Sequence, residues 1–190
     1  MMHDAANTGP ASRRTIGEGR WLRLVERDGW EYVERLKTTG VVAVVALTEG
    51  GNLLVIEQYR PVIAKWVVEL PAGLAGDGER VASEDLCGAA QRELLEETGY
   101  AAREWTFLTA GPASAGMSTE VITFFLARGA RRVGPGGGDG SEQIRVFEVP
   151  LERVASLIAE REALGAITDP KVYTGLYFVG RGGGKHASAP

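Results

Sequence analysis

Cysteine and histidine are scarce in this sequence, and their scarcity excludes several kinds of site. Cys87 is the only cysteine among 190 residues, so an internal disulfide cannot form. The small residues around it favour a buried structural thiol, and the lack of a disulfide agrees with the reducing cytoplasm, where we expect the protein to be. The two histidines, His3 and His186, lie near the ends of the chain, where we expect solvated side chains without a catalytic role.

Long apolar runs and an excess of basic residues are also missing. No stretch reaches the roughly 18 apolar residues of a membrane span, and residues 1–14 lack the apolar centre of a signal peptide. The 21 lysine and arginine residues are outnumbered by 25 aspartate and glutamate residues, which gives a net charge of −4. We therefore expect neither nucleic acid nor a membrane surface as a partner. An anionic substrate would need positive charge from a metal ion or from a few arginines.

The length and hydrophobic content of the chain fit one compact domain with additional segments at its ends. Hydrophobic residues make up 44% of the sequence, which is enough for a sizeable core. Residues 1–18 and 180–190 are rich in small and polar residues, and we predict flexible tails there. Residues 19–39 are predicted to form an N-terminal strand pair, and residues 40–179 the main domain.

Alternating and periodic apolar residues predict a strand-rich chain with three helices. Asp28-Gly29 lies between two apolar segments and predicts a hairpin, and Glu49-Gly50-Gly51-Asn52 predicts a second one. The predicted strands cover residues 21–25, 30–36, 41–47, 53–58, 66–70, 105–109, 121–127 and 144–149. The predicted helices cover residues 84–98, 151–163 and 170–178, and Gly99 is expected to end the first of them.

A glycine-rich segment over residues 134–140 interrupts this pattern. Five of its seven residues are glycine, so it cannot form a regular element. One interpretation is a plain spacer between two strands. The other is a mobile loop that delivers the next charged residue, Glu142, to a functional site.

Helical spacing brings three acidic residues of the first predicted helix together. Glu93, Glu96 and Glu97 fall within one arc of about 100° on the helix surface. At ~5–6 Å and an effective dielectric constant of ~20, each pair of these charges costs on the order of 3 kcal/mol. A solvated acidic face is one interpretation of such a cluster. A bound divalent cation is the other, since hard cations require several oxygen ligands.

The residues around this cluster resemble the Nudix box, a motif with the pattern G-x5-E-x7-R-E-U-x-E-E-x-G-U, in which U is a bulky apolar residue. Residues 78–100 fill every fixed position, with an aromatic residue at the last one, where an aliphatic residue is more frequent. The matching residues are Gly78, Glu84, Arg92, Glu93, Leu94, Glu96, Glu97, Gly99 and Tyr100. The flanking strands agree with the family over residues 41–150.

The resemblance implies a fold, a metal site and a reaction. The implied fold is of the α/β class, an α/β/α sandwich around a mixed β-sheet, to which the N-terminal antiparallel strand pair is added. Glu93, Glu96 and Glu97 would bind Mg²⁺, with Mn²⁺ as an alternative, and would activate a water that attacks phosphorus. Glu96 and Glu97 would be catalytic and near solvent. The residues with a structural role would be Gly78, Glu84, Arg92 and Gly99.

Two segments outside the box resemble the ADP-ribose pyrophosphatase branch of the family. They are Glu57-Gln58-Tyr59-Arg60-Pro61 and Glu69-Leu70-Pro71-Ala72-Gly73. In that branch the residues that match Arg60 and Glu69 bind the substrate, and the backbone carbonyl that matches Ala72 binds a metal ion. Arg60 offers phosphate a bidentate fork. The alternative interpretation of the first segment is an ordinary strand end.

Two further parts of the branch have counterparts downstream. Residues 111–120 resemble its proline-containing loop, although Gly-Pro-Ala-Ser-Ala-Gly stands where Ser-Pro-Gly is frequent. Ser118 and Glu120 would contact the terminal ribose of the substrate or hold the loop. Glu142 matches a glutamate that is the candidate general base or a further metal ligand, and we interpret the nearby Arg145 as a surface charge.

The N-terminal strands resemble the dimerisation sheet of the same branch, in which two subunits share the adenine pocket. A homodimer is therefore expected. Trp30 would stack on the base, and Arg35 of either subunit would reach the phosphates. The alternative interpretation is that the aromatic residues only cover a sheet.

These resemblances together predict an enzyme that hydrolyses ADP-ribose, a small-molecule nucleotide sugar, to AMP and ribose 5-phosphate. Another nucleotide sugar, such as GDP-mannose, is the alternative substrate. A Nudix-like module that senses a nucleotide without cleaving it is a third interpretation. The complete set of box carboxylates and the acidic net charge disfavour such a regulator.

Overall fold

A computed structural model describes residues 12–76, 84–138 and 142–181 of the chain. Three strands form an N-terminal sheet: β1 (Arg13–Glu18), β2 (Leu22–Arg27) and β3 (Trp30–Arg35). The other strands are β4 (Gly40–Thr48), β5 (Leu53–Arg60), β6 (Lys65–Glu69), β7 (Ala72–Ala75), β8 (Tyr100–Ala101), β9 (Glu104–Pro112), β10 (Val121–Arg132), β11 (Ile144–Val149) and β12 (Ile167–Thr168). The helices are α1 (Leu86–Thr98), α2 (Val154–Ala163), which follows a single 3-10 turn (Leu151–Arg153), and α3 (Pro170–Gly180). Within those residues, no helix combines the length and the apolar character needed to cross a membrane.

The N-terminal sheet contains one strand more than the sequence predicted. Strands β2 and β3 form the expected hairpin, in which Asp28 and Gly29 both adopt positive φ angles. Strand β1 pairs with β2, so the tail predicted over residues 1–18 was wrong for residues 13–18. This strand has no apolar face that a pattern search would find, because all its residues are exposed and ion pairs such as Arg13–Glu34 hold it. Residues 1–11, including His3, lie outside the described part.

Nine strands form the main sheet, and it is mixed, as the family resemblance predicted. Its main path runs β12-β6-β5-β4-β10-β8, with β11 also paired to β5, β7 to β4 and β9 to β10. Strand β10 runs parallel to β4, and β12 runs parallel to β6. The other pairs are antiparallel. The predicted second hairpin diverges at once, since β4 and β5 pair only at Leu47 and Leu53.

Side chains that alternate along β4 divide the core between the two faces of the sheet. Val42 and Val44 belong to a cluster that includes residues of α1. Val45 and Leu47 belong to a second cluster, which includes residues of α2 and α3. The sheet therefore lies between two helical layers, which confirms the predicted α/β/α fold. Cys87 is half-buried against the first cluster, not fully buried as expected.

Helix α1 begins and ends through recognisable caps. It starts two residues later than predicted, because the side chain of Asp85 accepts a hydrogen bond from the amide of Gly88 and so caps the helix. Glu84 thus precedes the helix. At the other end Gly99 has a φ of 76°, and its amide donates to Leu95, as the sequence predicted for a glycine stop.

The described part of the glycine-rich segment is attached to the end of α1. The amides of Gly137 and Gly138 donate to the carbonyls of Glu97 and Glu96, at 2.8 and 3.0 Å. These carbonyls belong to the last turn of the helix, where carbonyl groups have no hydrogen-bond donor within the helix itself. Residues 134–138 therefore cap the end of α1, a role that the sequence analysis did not predict. Residues 139–141 lie outside the described part.

Gly136→Ala should lower the free energy of unfolding by about 1–3 kcal/mol, because the residue has a φ of 68° and a Cβ there would lie 2.4 Å from the carbonyl carbon of Thr98. Urea unfolding measures the change. Gly134→Ala is the matched control, since its Cβ would meet nothing within 4 Å and its φ is not positive. Equal effects of the two substitutions would contradict the capping role.

Candidate functional site

One cleft of about 390 Å³ gathers most of the residues that the sequence analysis selected. It lies where α1, β7 and the ends of β5 and β6 meet. The predicted residues that line it are Arg35, Arg60, Glu69, Ala72, Arg92, Glu93, Glu96, Glu97, Glu120 and Glu142. Four predicted residues do not line the cleft, namely Trp30, Ser118, Glu84 and Gly99, and Gly78 is outside the described residues.

Strand β7 passes close enough to α1 for its backbone to contact the carboxylates. The amide of Ala72 donates to Oε2 of Glu97 at 2.9 Å. At Gly73 a Cβ would lie 2.0 Å from the carboxyl carbon of Glu93, so only glycine fits there. The small residues after Pro71 thus allow the backbone of β7 to approach the acidic face of α1 closely.

Arg92 holds the helix to the sheet and to the segment that precedes it. Its guanidinium donates to the backbone carbonyl of Leu74 at 2.8 Å, to Glu84 at 3.3 Å and to Glu93 at 2.8 Å. It also reaches Glu96 at 3.0 Å. Burial lowers the pKa of Arg92, but these hydrogen bonds and the charge of Glu93 outweigh burial and raise the pKa above its ordinary value.

Glu97 is buried, and the expectation that it would lie near solvent was wrong. Only 3% of the residue is exposed, because β7 covers it, whereas the side chain of Glu96 is 50% exposed as expected. Burial raises the pKa of Glu97 well above its ordinary value. The amide of Ala72 opposes this change, while the charges of Glu93, Glu142 and Glu69 add to it.

The donors in the cleft suit a hard divalent cation. Carboxylate oxygens are the ligands that Mg²⁺ prefers, and Glu97 is buried beside other acidic groups that need positive charge. Among residues 12–76, 84–138 and 142–181, no three acidic, histidine or cysteine side chains already converge as a ligand set. Glu93 and Glu96 are instead paired with the guanidinium of Arg92. Glu96 is exposed enough to turn toward Glu97 by side-chain rotation.

Arg60 and Glu69 form a bidentate ion pair on one wall of the cleft. Nε and Nη2 of Arg60 each donate to a carboxylate oxygen of Glu69 at 2.6 Å. Glu69 is buried, while 41% of the Arg60 side chain is exposed. The hydrogen bond to Glu69 raises the pKa of Arg60, so the guanidinium remains charged.

Arg35 lies on the opposite rim, where Nε donates to Glu120 at 2.5 Å. Strand β3 carries it, so the N-terminal sheet contributes directly to the cleft. Trp30 and Ser118 line a separate depression of about 260 Å³, where β3 meets the loop after β9. Trp30 is 69% exposed there. Within one chain, therefore, Arg35 lines the cleft, whereas Trp30 and Ser118 lie in the separate depression.

Glu57 takes no part in the cleft, although it belongs to a segment selected for substrate binding. It is fully buried and accepts two hydrogen bonds from Arg161, at 2.8 and 2.7 Å, and one from Arg145 at 2.9 Å. Arg145 also lies over the ring of Trp66, 4.0 Å from its centroid. The interpretation of Arg145 as only a surface charge was therefore wrong, and Glu57 joins β5, β11 and α2.

Two residues at the cleft were missed by the sequence analysis. Lys171, at the start of α3, lines the cleft and pairs with Asp169. Gln58 lies behind Glu142 and donates to it at 2.9 Å. Lys171 has no local signal, since it looks like any helical lysine. Gln58 has one, because it is a polar residue in a strand whose neighbours are buried.

Glu97→Gln should make the metal-free protein more stable at neutral pH. Because the folded-state pKa of Glu97 is raised, the folded protein binds its proton more tightly than the unfolded chain does. Stability therefore falls as pH rises above the unfolded pKa of glutamate, about 4.3, toward the folded value. Urea unfolding in EDTA across this range should show a flatter pH dependence for the variant. Parallel curves for the two proteins would contradict the raised pKa of Glu97 in the folded protein.

Comparisons with known proteins agree with this site. The family model described as NUDIX domain matches residues 37–169. An ADP-ribose pyrophosphatase of Bacillus subtilis is 36% identical over 136 residues, which cover 71% of each chain. A GDP-mannose pyrophosphatase of Klebsiella pneumoniae is 32% identical over 121 residues, 58% of this chain and 57% of that one.

A solved structure of an ADP compounds hydrolase matches the fold. The TM-score is 0.66 at 20% sequence identity, and the match covers 90% of both chains. Since the family model spans most of the chain and includes the acidic helix, this protein belongs to the Nudix family.

Proposed function

We propose that this protein is a metal-dependent hydrolase that cleaves the pyrophosphate of ADP-ribose and releases AMP and ribose 5-phosphate. The observation that carries the proposal is the composition of one cleft. It combines the acidic face of α1 with two arginines, Arg35 and Arg60, that come from different sheets. A cation on the acidic face and arginines opposite it form a complementary surface for a diphosphate. The relatives named for ADP-ribose and GDP-mannose favour a nucleotide sugar as the compound that carries it.

The acidic face of α1 is the proposed metal site. Glu93, Glu96, Glu97 and the backbone carbonyl of Ala72 would hold Mg²⁺, or Mn²⁺ in its place. A divalent cation there supplies charge to the pyrophosphate oxygens and makes an attacking water more acidic. The protein's own contribution is to bring Glu93 and Glu97 out of bulk water and to hold them against β7, where they are preorganised.

The arginines are proposed to bind the phosphates. Arg60 is fixed by Glu69 through two hydrogen bonds, and its exposed edge is available to an anion. Arg35 is oriented in the same way by Glu120. An arginine whose position is already set loses less side-chain entropy on binding, so each ion pair supports substrate affinity.

Glu142 is proposed as the general base. It lines the cleft, it is half-buried, and its carboxylate adds to the negative charge around Glu97. A carboxylate in that position can remove a proton from the water that attacks phosphorus. We place the reaction in the cytoplasm, in agreement with the single cysteine of the chain.

The test is a product assay by mass spectrometry. With Mg²⁺, ADP-ribose should give AMP and ribose 5-phosphate, and EDTA should abolish turnover. Glu96→Gln should lower turnover by at least about 100-fold through loss of a ligand, with an unchanged fold because the side chain is exposed. Glu104→Gln, an exposed change on β9, is the matched control.

Other results would change the assignment. Faster turnover of GDP-mannose than of ADP-ribose would move the substrate to that nucleotide sugar. Binding of ADP-ribose without turnover would favour a sensing module. Near-normal rates for Glu96→Gln at limiting Mg²⁺ would contradict the ligand assignment.

We further propose a homodimer that forms through the N-terminal sheet. Leu22 and Leu24 lie on one face of β2 and are both exposed, as are Ile16 and Trp21 nearby. Such a patch is unusual on a monomer and is typical of an interface. Sedimentation equilibrium should give twice the monomer mass for the native chain and the monomer mass for Leu24→Asp. A monomeric native protein at micromolar concentration would refute the proposal.

A further inference from the structure

Gln58 is a buried polar residue near the end of β5. The other buried residues of this strand are apolar, except Glu57. Only 3% of Gln58 is exposed. Strand β11 pairs with β5 at this point, and Gln58 lies opposite Ile144, two residues after Glu142. Its Nε2 donates to Oε1 of Glu142 at 2.9 Å. Gln58 does not line the cleft, so it lies behind the carboxylate that does.

The oxygen atom of the Gln58 amide does not stabilise the fold through a hydrogen bond within the described residues. This atom, Oε1, is buried, and no residue in the described part of the chain donates a hydrogen bond to it. A buried acceptor without a donor costs free energy, about 1–3 kcal/mol, so an apolar side chain such as the neighbouring Ile56 would suit the core better. Stability alone therefore does not account for glutamine at this position.

A second contact confines Glu142 from the other side. At Gly138, which has a φ of 80°, a Cβ would lie 2.4 Å from Oε2 of Glu142, so a side chain there would displace the carboxylate. Gly138 is itself attached to α1, because its amide donates to the carbonyl of Glu96. The carboxylate of Glu142 is thus held between Gln58 of the sheet and a segment fixed to the acidic helix.

We propose that Gln58 is a positioning residue for Glu142. It fixes the direction of the Glu142 carboxylate toward the cleft and acts only through that carboxylate, without touching the substrate. Because the amide is neutral, it orients the carboxylate and leaves its negative charge available to the reaction. This inference rests on the proposed function, in which Glu142 is the general base.

Gln58→Met tests the role, because methionine keeps the volume and removes the hydrogen bond. With ADP-ribose and saturating Mg²⁺, kcat should fall by about 10-fold or more, the usual effect of losing a supporting hydrogen bond at a metal site. KM and the Mg²⁺ affinity measured by calorimetry should change less than twofold. Gln91→Met, an exposed glutamine-to-methionine change on α1, is the matched control and should leave kcat unchanged.

A double-mutant cycle with Glu142→Gln separates a positioning role from a general loss of packing. If Gln58 acts through Glu142, then Gln58→Met should have no further effect on kcat in the Glu142→Gln background. An equal loss of kcat in both backgrounds, or an unchanged kcat for Gln58→Met alone, would overturn the inference. A normal kcat for Glu142→Gln alone would instead refute the proposed role of Glu142.

Gln58→Asn keeps the experiment informative if the methionine variant does not fold. It retains the amide in a shorter side chain, so the hydrogen bond to Glu142 should be lost while the polarity of the site is kept. Its kcat should also fall, with the same dependence on Glu142. A folded Gln58→Asn protein with full activity would overturn the inference.

Discussion

The carboxylates on α1 repel one another, and much of the surrounding structure counteracts that repulsion. Arg92 lies among Glu84, Glu93 and Glu96 and also reaches the carbonyl of Leu74, so one guanidinium offsets part of the negative charge and attaches the face to β7. Two of the acidic groups are nevertheless buried, which makes the charged state costly. Repulsion between these carboxylates does not favour the fold, and binding of a cation would account for their placement on one face.

The end of α1 connects this acidic face to the rest of the cleft. Gly137 and Gly138 cap the carbonyls of Glu97 and Glu96, and the chain then leads to Glu142 and into β11. Residues 137 and 138, which are distant from α1 in sequence, are therefore attached to the last turn of the helix. Catalytic geometry requires placement within fractions of an ångström, and a backbone cap provides such placement better than a free loop does.

The sequence predicted what depends on local signals and missed what depends on contacts between distant segments. Helix α1 and its stop at Gly99 follow from periodicity and from the left-handed conformation of glycine, and both were confirmed. The burial of Glu97 did not follow, because it depends on the four-residue strand β7, which has no strand-like pattern of its own. The buried ion pair of Glu57 did not follow either, since its partner Arg161 lies about a hundred residues away in α2.

The same distinction separates the reaction from the choice of substrate. The acidic face belongs to one continuous stretch of chain in α1, and the motif that specifies it is local. Part of the rim is formed by Arg35 of the N-terminal sheet and Glu120 of the loop after β9. Two backbone hydrogen bonds between Val33 and that loop join the two segments. Because these residues lie outside the motif, the motif alone does not determine which compound the cleft admits.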